Sequence, residues 1–169
     1  MFNRPKIKIK LTRFDKVLEI CGLILLVIMW GFTIVNYLKS PETVPIHYDS
    51  LGNINGYGSK STLLFLPLIP TIIFWGLTQL NKYPHVFNYM TKITVDNAES
   101  QYIGATRMIR ILKVSLVLMF TIDTLSAFFR IIGISKGLGV WFFPLSIILL
   151  VLPIIFAIIQ PFKKKNNVA

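Results

Sequence analysis

Apolar positions in this chain gather into blocks instead of alternating with polar ones. Four blocks stand out: Val17–Leu38, Thr62–Leu80, Val114–Ile134 and Val140–Gln160. Each is near the ~20 residues that a helix needs to cross a ~30 Å hydrocarbon layer at ~1.5 Å rise per residue. Short period-2 segments of the kind that build barrels are missing from the pattern, so the blocks predict helices. The expected fold class is therefore all-α, a polytopic integral membrane protein with four transmembrane helices in one domain over 1–169. A soluble all-helical bundle with buried helices is the bland alternative.

The polar stretches between the blocks predict the rest. Residues 1–13 read as a flexible basic tail. Residues 39–60 make an outer connection long enough for a structure of its own. Thr43–Tyr48 has β character, and Asp49–Asn53 and Asn55–Gly56 are turn signals, so a short β-hairpin on the mouth of the second span is expected. Gly52, Gly56 and Gly58 are expected to permit turns with φ > 0. Pro67 and Pro70 should kink the second span, because each removes an i→i−4 hydrogen bond. In the connection 81–113, Thr94 reads as a helix N-cap. From Val95 one long helix should rise into the third span, bent near Gly104. The fourth span, with Pro144 and Pro153, is expected to end at Pro161.

Composition supports lipid as the solvent: 54% of residues are hydrophobic and 15% charged, against about 25% charged in a soluble domain. The first block is too long for the apolar part of a secretory signal and lacks a small-residue cleavage site, which predicts an uncleaved anchor. Net charge is +11, yet its distribution argues against a nucleic-acid partner. Fourteen of the 18 Lys and Arg lie in the N-terminal tail, in 82–113 or at the C-terminal end, and only Lys39, Lys60, Arg130 and Lys136 lie in the other two connections. The positive-inside rule then places both termini and the middle connection in the cytoplasm, with the lipid bilayer as the partner of the basic residues. Cys21 is the only cysteine. It excludes an internal disulfide or a cysteine-rich zinc site, and is expected to be a buried apolar filler.

His47 and Asp49 are the first candidates for chemistry. In an extended segment their side chains share a face, and a carboxylate can orient an imidazole or help to hold a metal. The plain alternative is that His47 only shapes the loop. His85 falls on the opposite side of the membrane, so a shared metal is excluded, and no metal or other cofactor is expected. Asp123 lies about midway along the third span, with Ser126 and Arg130 at i+3 and i+7. An ionisable residue at that depth is expected to face the bundle interior. It would act as helix glue, as a proton- or ion-coupling group, or as a partner for Arg130 or Lys60. No phosphate-cradling glycine motif, nucleophile elbow or H-E-x-x-H occurs, so no catalytic residues and no enzyme activity are expected.

One run of residues resembles a known family. Pro41, Pro45, His47, Tyr48, Gly52, Tyr57, Ser59 and Lys60 follow one another as in the bacterial membrane family called domain of unknown function 1648. The resemblance covers the first span through the second. That family includes an immunity protein that protects bacteria from a secreted killing factor and takes part in signalling. The resemblance implies a bacterial cytoplasmic-membrane protein whose outer loop meets a peptide, toxin or other envelope partner. The candidate contacts are Pro41, Pro45, His47, Tyr48, Asp49, Gly52, Tyr57 and Lys60, and the intramembrane polar residues are Asp123 and Arg130. The alternatives are a small transporter or channel subunit built on Asp123, which needs a homo-oligomer, and a membrane enzyme or metal site centred on His47.

Overall fold

The computed structural model of this chain describes residues 4–134 apart from Ser50 and Gly52, and residues 139–165, of which 156–165 as backbone only. Helix α1 is Arg13–Lys39. Thr12 caps it in a reciprocal box: its hydroxyl accepts from Asp15 N at 3.3 Å, and the Asp15 carboxylate accepts from Thr12 N at 3.0 Å. Strands β1 (Thr43–Tyr48) and β2 (Ile54–Ser59) follow as an antiparallel hairpin. The second apolar block is broken into α2 (Thr62–Phe65) and α3 (Leu68–Leu80). The expected kink is thus a full interruption at Pro67, whose missing N–H cannot continue α2, and Pro70 sits in the first turn of α3, where no donor is needed.

A 3-10 turn, Pro84–Val86, leads to α4 (Val95–Ile131). Thr94 is the N-cap as expected, with Asn97 as its capping-box partner. The helix runs unbroken through Gly104 for 37 residues, about 55 Å, well beyond the ~30 Å of a hydrocarbon layer. It stops three residues short of the expected Ile134. Gly133 adopts φ +77°, Gly133 N–H donates to Arg130 O at 3.0 Å, and Ile134 N–H donates to Phe129 O at 2.9 Å. That is a Schellman ending, which only a residue at ease with positive φ permits. The last helix, α5 (Phe142–Lys165), continues past Pro161 instead of ending there. A proline in the final turn removes one hydrogen bond and leaves the preceding turns intact.

Cross-links fix the helix directions. Asp15 meets Arg107 and Asn36 meets Thr124, so α1 and α4 run parallel. Trp30 Nε1 donates to Thr71 at 3.0 Å and Lys113 Nζ donates to Thr78 at 2.6 Å, so α3 runs against both. The hairpin lies at one end, and the 3-10 turn and residues 4–12 at the other. Residues 4 and 5 are docked, contrary to a wholly flexible tail: Arg4 donates to the carbonyls of His85 and Phe87, and Tyr102 O–H donates to Pro5 O at 3.0 Å.

The bundle buries polar side chains beside apolar ones and is apolar outside. Val27, Leu38 and Ile72 are 73%, 74% and 68% exposed, whereas Asn36, Thr33, Thr106 and Lys113 are buried. Water would invert that arrangement and lipid does not, because lipid gives no reward for turning leucines inward. Arg13–Lys39, Thr62–Leu80 and Val95–Ile131 are each long and apolar enough to cross a membrane, and Phe142–Ile155 is a shorter apolar stretch. The chain has the make-up of a membrane protein. Cys21 lies on an exposed face of α1, which corrects the expectation of a buried filler. The apolar centre is Leu26, Met29, Phe74 and Val117. Gly22 opens it: a Cβ there would lie 2.5 Å from Phe74 Cε2, so the glycine is what lets α1 and α3 close.

Candidate functional site

The hairpin holds most of the residues singled out in the sequence. Its turn is closed by Asp49, whose Oδ1 accepts from Leu51 N at 2.9 Å and Asn53 N at 2.8 Å while its own N–H donates to Asn53 O at 2.9 Å. This is an Asx-type turn made by the side chain that sequence reasoning had placed beside His47. The Nδ1 of His47 pairs instead with the Asn55 side-chain oxygen across the strands. His47 is exposed, and no three His, Cys, Asp or Glu side chains of the described residues converge as a metal site.

The glycines act differently from expectation. Gly56 and Gly58 lie within β2 and neither has positive φ, and Asn55–Gly56 is strand, not turn. A Cβ on Gly56 would meet His47 Cβ at 3.0 Å, and one on Gly58 would meet Ile46 Cδ1 at 2.7 Å. Their role is cross-strand clearance for two β1 side chains. Gly52 lies outside the described residues.

The base of the hairpin is tied to the helices. Lys60 Nζ is 2.7 Å from Glu42 Oε1 and 5.4 Å from the centre of the Tyr37 ring on α1, and Lys60 N–H donates to Glu42 O at 2.9 Å. The Glu42 carboxylate raises the Lys60 pKa. The register puts Lys60 and His47 at opposite ends of the hairpin, ~16 Å apart along β1. Pro41 is exposed and Pro45 half-buried. Tyr57 is 64% exposed. The Tyr48 hydroxyl is buried without a hydrogen-bond partner among the described residues, and the Arg130 guanidinium stands 4.8 Å from the Tyr48 ring centre. Arg130 is thus placed under the hairpin and away from Asp123. Asp123 is half-buried on α4, and no ion pair joins it to Arg130 or to Lys60. A cavity of about 280 Å³ lies between β1 and the end of α4, lined by Pro41, Val44, Pro45, Ala127, Arg130 and Ile131 among others.

A second charged group was missed. Near the opposite end, Glu19 on α1 accepts from Arg110 Nε at 3.0 Å and Lys113 Nζ at 2.6 Å, and Arg107 Nε donates to Asp15 at 2.9 Å. Lys113 also lies 4.3 Å from the Phe74 ring centre. The signal was present: Glu19 is a carboxylate inside an apolar block, and Arg110 and Lys113 are spaced i, i+3 just before another. Counting these bases only as cytoplasmic charge concealed their pairing.

One family model matches the segment that builds the hairpin. The family described as a domain of unknown function (DUF1648) matches residues 24–71. Residues 24–71, less than a third of the chain, are thus similar to DUF1648. In structural terms the DUF1648 segment runs from the middle of α1, through the whole hairpin, into the first turn of α3. A relative from Archaeoglobus fulgidus, described as an uncharacterized protein, is 34% identical over 86 residues, covering 46% of this chain and 47% of the relative. The match therefore spans about half the length of that curated relative, which is archaeal, so the likeness is not confined to bacteria. No solved structure matches the chain.

Proposed function

We propose that this chain is a non-enzymatic protein with four spans in the cytoplasmic membrane of a bacterium, both termini inside. In this reading its outer hairpin contacts a peptide, toxin or other envelope component, for immunity or sensing. One observation carries the reading: the hairpin is pre-organised while several of its apolar side chains are left exposed. Asp49 closes its turn, Lys60 and Glu42 tie its base, and Arg130 braces it from below, yet Ile46, Leu51 and Tyr57 are 46%, 62% and 64% exposed. A rigid scaffold that presents aromatic and aliphatic side chains binds at low entropic cost. Support for the orientation comes from the bundle: the hairpin lies at the end of α1 and α4 remote from the tail and the 3-10 turn, where most basic residues cluster. The long inner part of α4, cross-linked to α1, is the route by which an outer contact reaches the cytoplasm.

The test is protection. Cells making the chain are challenged with membrane-active cationic peptides, and survival is compared for wild type, His47→Ala and Tyr57→Ala at equal amounts in the membrane. Wild type is expected to raise survival and both variants to lose that gain. Undiminished protection by both variants at normal membrane levels, or no protection by wild type, would overturn the reading.

A further inference from the structure

Arg130 carries the observation that the hairpin's partner does not use. It lies in the last turn of α4 with its guanidinium against Tyr48. Its Nε and Nη1 are buried and have no hydrogen-bond partner among the described residues. A buried donor on a charged group forfeits its hydration, so leaving two of them unused is unfavourable unless an acceptor arrives. The carboxylates nearest in sequence or across the hairpin are committed elsewhere. Glu42 is held by Lys60 at 2.7 Å, and Asp49 by the turn amides at 2.8 and 2.9 Å. Asp123 lies two turns down the same helix, ~10 Å away.

The space beside the guanidinium is the cavity under the hairpin. Pro41, Val44, Pro45, Leu63 and Ile131 give it an apolar wall, with Arg130 as its cation. A cation set in an apolar slot selects an anion borne on an apolar body. We propose that this cavity is a phospholipid site, in which Arg130 binds the phosphate of an anionic headgroup and the adjoining lipid lies along the apolar wall. Position favours lipid over a peptide carboxylate. The rim continues into the outer apolar surface: Leu38, two residues before Ser40 of the lining, is 74% exposed, and Phe65, two residues after Leu63, is 65% exposed. A lipid already lying on that surface reaches the slot without being ordered from solution. Guanidinium also matches phosphate well, being delocalised and weakly hydrated. The proposal is independent of which partner meets the outer face of the hairpin.

The test uses the full chain in dodecyl maltoside micelles, with phosphatidylglycerol titrated and retained lipid read by native mass spectrometry. Wild type is expected to hold a single phosphatidylglycerol. Arg130→Gln should weaken retention about tenfold or more, as loss of a charge-assisted hydrogen bond implies. Ala127→Phe, which fills the cavity and keeps the cation, should also weaken it. Lys39→Gln, the same charge change at the same end but outside the cavity, should bind as wild type. Helicity by circular dichroism checks each variant. If Arg130→Gln does not fold, Arg130→Lys takes its place, with weaker retention expected. Unchanged retention in a folded Arg130 variant would overturn the site. Displacement of the lipid by millimolar inorganic phosphate would make it a plain anion site, and displacement by a short leucine-rich peptide with a free carboxylate would make it a peptide site; either result overturns the lipid assignment.

Discussion

Lys113 on α4, fully buried, donates a 2.6 Å hydrogen bond to Glu19 on α1. The pair joins parallel helices just where the apolar part of the bundle begins, and it converts two costly residues into an interhelical clasp. Thr78 on α3 accepts from the same ammonium at 2.6 Å, so one side chain registers three helices.

Glu19→Ala leaves Arg110 and Lys113 without their carboxylate. The expected loss is about 3 kcal/mol, the lower end for breaking a buried pair because Glu19 retains some exposure. Thermal unfolding in detergent, followed by the loss of monodisperse protein, measures it. Adding Lys113→Met to Glu19→Ala should restore part of the loss. A double variant no better than Glu19→Ala would show that the clasp is not the cause.

Two glycines on one helix should respond in opposite ways. Gly22→Val sets new carbon against the buried Phe74 ring and should destabilise by about 1–3 kcal/mol through overpacking. Gly31→Ala meets nothing within 4 Å and should be neutral or stabilising by up to about 1 kcal/mol, since alanine is the better helix former. The same thermal assay reads both. Equal effects would place the α1–α3 approach elsewhere.

The Lys60–Glu42 pair is exposed on one side, with Glu42 at 83%. Lys60→Gln should therefore change overall stability little. Amide exchange should quicken in the hairpin alone, with α1 and α4 protected as before. Faster exchange along α4 would mean that the hairpin base also holds the bundle.

Orientation is open to a chemical probe. Cys21→Ser removes the native thiol, and Asn53→Cys places a new one in the exposed hairpin turn. A membrane-impermeant maleimide should label intact cells at position 53. Labelling only after permeabilisation would reverse the proposed topology.

Tyr89 gives the inner connection a pH signature. Burial, helped by Tyr102, raises its pKa above the usual value, and its hydroxyl donates to Pro84 O at 2.9 Å. A phenol whose pKa rises on folding contributes stability that is complete below the unfolded value of ~10 and is lost as pH climbs above it. Protection of amides 85–89 should hold constant from pH 7 to about 10 and fall beyond. Tyr89→Phe should abolish that fall at a cost of about 1 kcal/mol. An unaltered alkaline fall in the variant would assign it to another group.

Sequence alone determined the features that depend on local chemistry. The apolar blocks gave the helices, because a block of that length satisfies its backbone within lipid in few other ways. Thr94 gave the start of α4, and Pro67 the break between α2 and α3, because caps and prolines act on neighbouring backbone. The β character of Thr43–Tyr48 and the turn signal at Asp49–Asn53 gave the hairpin, and the run from Pro41 to Lys60 gave its resemblance to DUF1648. Tertiary structure decided what depends on distance along the chain. Asp49 reads as a partner for His47 by spacing, but the closure of the turn claims it. Gly56 and Gly58 read as turn formers, but the opposite strand needs their missing side chains. Glu19 and Lys113 are 94 positions apart, and Arg130 lies far from Tyr48 in sequence, so no local pattern could show that one cation would be paired and buried while the other would line the cavity under the hairpin. Only the packing of α4 against α1 and the hairpin sets those neighbours.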